Sequence, residues 1–189
     1  MSATVTEAAV SEAATERLTI EQFEAVHEDY EQRVELVRGK VVVMPRPKQR
    51  HALCMTELGF LLQSWAKPLS FYVLTEGGFI TTQDTVRGPD FYVVSQDRRN
   101  ADLDSWQTVP PQLCVEIRSK NDTVKALLEK ADEYLAAGVE VVWIVDPFAE
   151  TIEVLTTGAS RIFAAGETTP ASGVLPGLTL AINDLFPPA

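Results

Sequence analysis

Apolar positions fall into segments whose spacing changes along the chain. Residues 1–17 are mostly Ala, Thr, Ser and Glu, with little that can pack, and read as a disordered leader ahead of a single domain spanning 18–189. Thr19-Ile20-Glu21-Gln22 has the spacing of a capping box and predicts a short helix that turns Phe23 and Val26 inward. Val34–Val37 and Lys40–Met44 are β-rich runs about Arg38-Gly39, a hairpin signal ended by Pro45 and Pro47. From His51 to Lys67 the apolar residues Leu53, Cys54, Leu58, Leu61, Leu62 and Trp65 recur at helical spacing.

The pattern then turns to strands: Phe71–Leu74, Phe79-Ile80 after Gly77-Gly78, and Pro89–Val94. A charged loop from Asp97 to Asp104 and Pro110-Pro111 precede Leu113–Ile117, a strand with a carboxylate inside it. Asp122-Thr123 can cap a helix that stops at Gly138, with Val124, Leu127, Leu128, Ala131 and Leu135 facing inward. Val141–Val145 is wholly apolar, as expected of a central strand covered on both faces. Ile152–Leu155, Arg161–Phe163 and Leu178–Ile182 complete a β-rich end. The order predicts an α/β fold with a mixed sheet flanked by helices.

A length of 189 residues suits one domain, and 46% hydrophobic with 23% charged residues is a globular composition. Two cysteines exclude a disulfide framework and a four-cysteine zinc site. No apolar run approaches the ~20 residues needed to span a bilayer. The first 17 residues lack the basic start and apolar stretch of a secretory signal, so a cytoplasmic location with no membrane partner is expected. The net charge of −11 argues against a general nucleic-acid coat. Residues 1–35 hold −7 of it, so the body is only mildly acidic. Nucleic acid would need a local basic surface or a metal.

Candidate chemistry lies in two acids set in apolar β-runs. Asp90 precedes Phe91-Tyr92-Val93-Val94, and Glu116 sits within Leu113–Ile117. A carboxylate in low dielectric is costly unless paired or metal-bound. Oxygen ligands from two strands suit Mg²⁺, or Mn²⁺; solvated or ion-paired acids at strand ends are the plain alternative. Pro89-Asp90, then Glu116-Ile117-Arg118, then a helix bearing Lys125 and Lys130 resembles the PD-(D/E)xK nuclease superfamily. Further parts, in order, are Val34–Lys40, His51 opening a helix, Glu76-Gly77-Gly78, Val86–Asp90, Val115–Asp122, Lys130–Val139 and Val142–Pro147. Together these resemble the Uma family of putative restriction endonucleases over nearly the whole chain after the leader.

That resemblance implies a restriction-endonuclease-like fold and Mg²⁺-dependent hydrolysis of DNA. Asp90, Glu116 and the carbonyl of Ile117 would be the metal ligands. The superfamily lysine, normally two residues after the glutamate, is replaced here by Arg118, which stays protonated and cannot act as a base. In this branch the lysine role moves to the following helix and points to Lys130; the alternative is a surface lysine paired with Glu129 or Glu133. Glu35 matches the family's early acid, and would hold a water or second ion, or else face outward on the hairpin. Arg118 and Lys120 would neutralise phosphate, and His51 would contact phosphate or cap its helix. Glu76 would line the cleft or serve a turn. Arg46, Lys48 and Arg50 read as an ordinary charged loop, with a contact to a nucleic-acid backbone as the alternative. Cutting both strands commonly pairs two sites, so a homodimer is expected. An inactive nuclease-fold binding protein and a hydrolase of small nucleotides remain open as other readings.

Overall fold

The computed structural model describes residues 17–186, so the expected leader, save Arg17, lies outside the described residues. Thr19 opens α1 (Ile20–Val26) with both halves of the capping box formed, and Phe23 is buried. β1 (Val34–Val37) and β2 (Lys40–Val43) pair through a two-residue turn. Arg38 and Gly39 both take positive φ (53° and 75°), the backbone that matches the twist of a tight hairpin.

α2 (Gln49–Ala66) buries His51, Cys54, Leu58, Leu62 and Ala66. Leu53, expected inward, is 71% exposed: neighbouring helical residues stand about 100° apart, and Cys54 takes the core position. The chain continues through β3 (Phe71–Thr75), β4 (Phe79–Thr82), β5 (Thr85–Arg87), β6 (Phe91–Ser95), β7 (Leu113–Ile117), α3 (Val124–Ala136), β8 (Val141–Asp146), β9 (Thr151–Thr156), β10 (Ala159–Phe163) and α4 (Ile182–Leu185). β5 escaped the sequence reading because three residues are too few to show alternation.

These strands make two sheets rather than one. The six-stranded sheet runs β10-β9-β8-β7-β6-β3, and the four-stranded antiparallel sheet runs β2-β1-β5-β4. In the large sheet only β7 and β8 are parallel, joined by α3 as a crossover. β8 sits centrally, as its apolar run predicted. One face of the large sheet packs Leu113, Val115 and Trp143 against α2 and the segment from Leu175 to Leu185. The other packs Cys114, Val142 and Ile144 against Leu127, Ala131 and Tyr134 of α3. Leu178–Ile182 is not a strand. Leu178, Leu180 and Ile182 are buried in alternation, but only a lone bridge between Thr168 and Ala181 forms there. Val124, expected inward on α3, is 53% exposed, and Tyr134 fills the core instead.

The loop after β6 returns across the small sheet, where Gln107 exchanges backbone hydrogen bonds with Gly78 and Ile80. A Cβ on Gly78 would fall 2.1 Å from the Trp106 ring. Gly78→Ala is therefore expected to cost about 1–3 kcal/mol through overpacking. Thermal denaturation checks this, and an unchanged Tm would mean that Trp106 yields freely.

Candidate active site

Asp90 immediately precedes β6, and the pairing of Phe91 with Val115 sets it beside the end of β7 that carries Glu116. Asp90 Oδ2 accepts the Ile117 backbone N–H at 2.6 Å, which ties the carboxylate across the two strands. His51 Nε2, from the first turn of α2, lies 3.2 Å from the same oxygen. Arg33 Nη1 stands 4.0 Å from Oδ1, itself held by Glu76 at 2.7 Å and by the Gly88 carbonyl. Asp90 and Glu116 are each 6% exposed.

Alternation along β7 sends Val115 and Ile117 to the α2 side and Cys114 and Glu116 to the α3 side. Glu116 Oε1 there accepts Lys130 Nζ at 3.0 Å and Tyr134 OH at 2.6 Å, donors one helical turn apart on α3. Lys130 Nζ also reaches Glu35 Oε1 at 3.2 Å, so the hairpin acid faces inward and is buried. Glu35 further accepts Gly88 N–H at 3.1 Å and Arg87 Nη1 at 3.0 Å. Arg87 clamps Glu133 through two bonds of 3.0 and 2.7 Å, and Glu129 pairs with Lys125, so neither acid is Lys130's partner.

Burial pushes the Glu116 carboxyl up; Lys130 pulls it down, Asp90 and Glu35 push it further up, and the Tyr134 hydrogen bond offsets only part. Burial disfavours the Lys130 ammonium, yet Glu116 and Glu35 outweigh it and hold the lysine above its usual range. Burial likewise opposes charge on His51, but Asp90, Asp122 and Glu116 raise it overall.

Both carboxylates line a small hollow of about 70 Å³, together with His51, Ile117 and Lys130. It adjoins an open cleft of about 930 Å³ bordered by Glu35, Arg87, Glu116 and Lys130. Among the described residues no hydrogen bond reaches Asp90 Oδ1 or Glu116 Oε2. No group of three or more His, Cys, Asp or Glu with metal-binding geometry occurs among them. A cation held here would have two carboxylate oxygens as side-chain ligands, with main-chain carbonyl and water to complete a set that suits a hard divalent ion.

Of the other expected residues, Arg118 pairs with Asp146 at 2.6 Å, Lys120 is exposed, and Glu76 serves Arg33 at the rim. Arg33, Arg87 and Tyr134 belong to the cluster without having been expected in it. Arg33 and Arg87 meet their partners across 43 to 55 residues of chain, which no local pattern reveals. The spacing of Tyr134 four residues after Lys130 was the signal available for the third.

The Uma2 family, described as "Putative restriction endonuclease", matches residues 20–183. The chain belongs to the Uma2 family. A putative nuclease of DUF820 from Anabaena variabilis ATCC 29413 shares the fold of this Uma2 protein at TM-score 0.77 and 23% identity, over 89% of this chain and 97% of that one. The mixed α/β fold, with two sheets flanked by helices, is thus that of a putative nuclease and is consistent with a restriction-endonuclease-like fold. A DrdV–DNA complex solved by cryo-EM covers 63% of this chain and 87% of that one, at TM-score 0.39 and 13% identity, too distant to bear on fold or function. No curated protein matches. Among the described residues no helix is long and apolar enough to cross a membrane.

Proposed function

We propose that this Uma2 protein hydrolyses phosphodiester bonds of DNA with the aid of Mg²⁺ or Mn²⁺. The observation that carries this is the convergence of Asp90 and Glu116 on one hollow, each with an oxygen that accepts no hydrogen bond among the described residues. Asp90, Glu116 and the Ile117 carbonyl would hold the ion, which when bound would polarise the phosphoryl group and make water more acidic.

The chain's own residues do the rest. The Ile117 N–H and His51 fix Asp90 in orientation. Tyr134 and Lys130 fix Glu116 through Oε1 and leave Oε2 for the ion. Lys130, kept charged by two carboxylates, offsets negative charge that grows on the phosphoryl oxygens and orients water by donation. Glu35 anchors that ammonium from the small sheet. Arg118 and Lys120 lie on the loop after β7, where a phosphate leaving the carboxylates would meet them. A homodimer would bring one such site to each strand of a duplex.

Among the described residues no group of three or more His, Cys, Asp or Glu is arranged to hold a metal, which favours, as second reading, a nuclease-fold protein that binds without cutting. Incubation of supercoiled plasmid with Mg²⁺ or Mn²⁺, beside a calorimetric Mn²⁺ titration, separates the two. Nicking that stops with EDTA is expected. Mn²⁺ binding with no cleavage would favour the inactive scaffold, and no Mn²⁺ binding would remove the assignment of the ligands.

A further inference from the structure

Beside the carboxylates the loop after β7, the start of α2 and the β8–β9 turn enclose a second hollow of about 160 Å³. It shares Pro45, His51, Ser119 and Asp122 with the hollow that contains Asp90 and Glu116, so the two adjoin. The protein carries a net charge of −11, yet Arg46, Lys48, Arg50 and Lys120 gather on these walls without an ion-pair partner among the described residues. The one acid in the lining, Asp122, is occupied by the Ser119 N–H at 2.7 Å.

The hollow also presents an aromatic ring. Phe148 is 46% exposed. Its turn is rigid: Asp146 Oδ1 accepts the N–H groups of Phe148 and Ala149 at 2.8 and 3.1 Å, while Oδ2 holds Arg118. Arg50 donates to the Pro147 carbonyl at 3.1 Å, and the guanidinium carbons of Arg50 and Arg118 lie 5.2 and 5.9 Å from the ring centroid. An ordered aromatic bordered by cations is an arrangement by which proteins stack a base and hold its phosphates.

We infer that this hollow binds an unpaired nucleotide of a DNA strand next to the scissile phosphate, with the base on Phe148 and the backbone on Lys48, Arg46 and Lys120. Inside a duplex both faces of a base are covered by its neighbours, so only an unpaired or frayed nucleotide can reach the ring. The inference rests on the nuclease reading for its biological meaning and narrows the substrate to single strands, flaps or open ends.

The test is fluorescence anisotropy of the full chain in EDTA. The probes are a labelled oligothymidylate of about 15 nucleotides and a blunt duplex of equal length. The single strand is expected to bind more tightly. Phe148→Ala should weaken single-strand binding about ten-fold, and Phe148→Tyr should restore it. Lys48→Ala with Lys120→Ala should reduce the log–log salt slope by about 1.4, two phosphate contacts on a single strand. Lys125→Ala, on α3 and outside the lining of the hollow, should match the unmodified protein, and melting curves would verify folding of each variant. Equal or tighter duplex binding, no single-strand binding, or a folded Phe148→Ala protein that binds normally would each overturn the inference. Adding Mn²⁺ separates the two claims. Expected binding without cleavage leaves the hollow and removes the nuclease, whereas cleavage unaffected by Phe148→Ala does the reverse.

Discussion

Asp90→Asn is expected to lower divalent-dependent DNA cleavage by at least about a thousand-fold while the fold persists. Asparagine keeps the shape and can still accept the Ile117 N–H through its amide oxygen, so the strand-to-strand tie survives. What is lost is the charge that would hold a cation beside Glu116. Glu116→Gln should do the same to cleavage, and it has a second signature in the absence of metal. Burial raises the Glu116 carboxyl, so the folded protein binds its proton more strongly than the unfolded chain does. The contribution of Glu116 to stability is therefore present at low pH and declines as pH rises through the raised value. Glutamine removes that decline. In EDTA the difference in Tm between the variant and the unmodified protein should shift in the variant's favour as pH rises and return on acidification, read from melting curves across pH. Mn²⁺ should raise the Tm of the unmodified protein and not that of either variant. Cleavage that survives in both would discard the assignment of these carboxylates.

Lys130→Met carries the second large effect. Methionine fills the space of the lysine stem without its charge, and leaves Glu35 and Glu116 facing each other with no cation between them. Removing one partner from a buried ion pair costs about 3–5 kcal/mol, here moderated because a proton can settle between the two acids. A fall in Tm of roughly 6–12 °C is expected at neutral pH, smaller in acid where protonation replaces the lost cation. Cleavage should fall by about a hundred-fold or more through lost charge stabilisation. Arg118→Lys is the matching control, since Arg118 is engaged by Asp146 rather than by either carboxylate. It should not restore cleavage to Lys130→Met. Restoration would place the ammonium role on the strand and not on α3.

The large sheet was readable because its strands are short apolar runs with clear stops, and β8, apolar throughout, announced its central place. Asp90 and Glu116 stood out for the same reason in reverse, as charges where the pattern calls for apolar side chains. Lys130 was legible only through the family resemblance, since a helix lysine by itself signals solvent. Arg33 and Arg87 could not be read locally, because their partners arrive from strands distant in the chain. Leu178–Ile182 misled because alternate burial needs only a surface to lie on, while a strand also needs a neighbour for its backbone. Leu53 misled because two adjacent apolar residues cannot both face the core of one helix.

Lys130 lies fourteen residues beyond Glu116, yet touches it. The distance between the two groups is governed by how α3 docks on the sheet and not by the pleat of a strand. Searches that require a lysine two places after the acid will therefore pass over chains built this way.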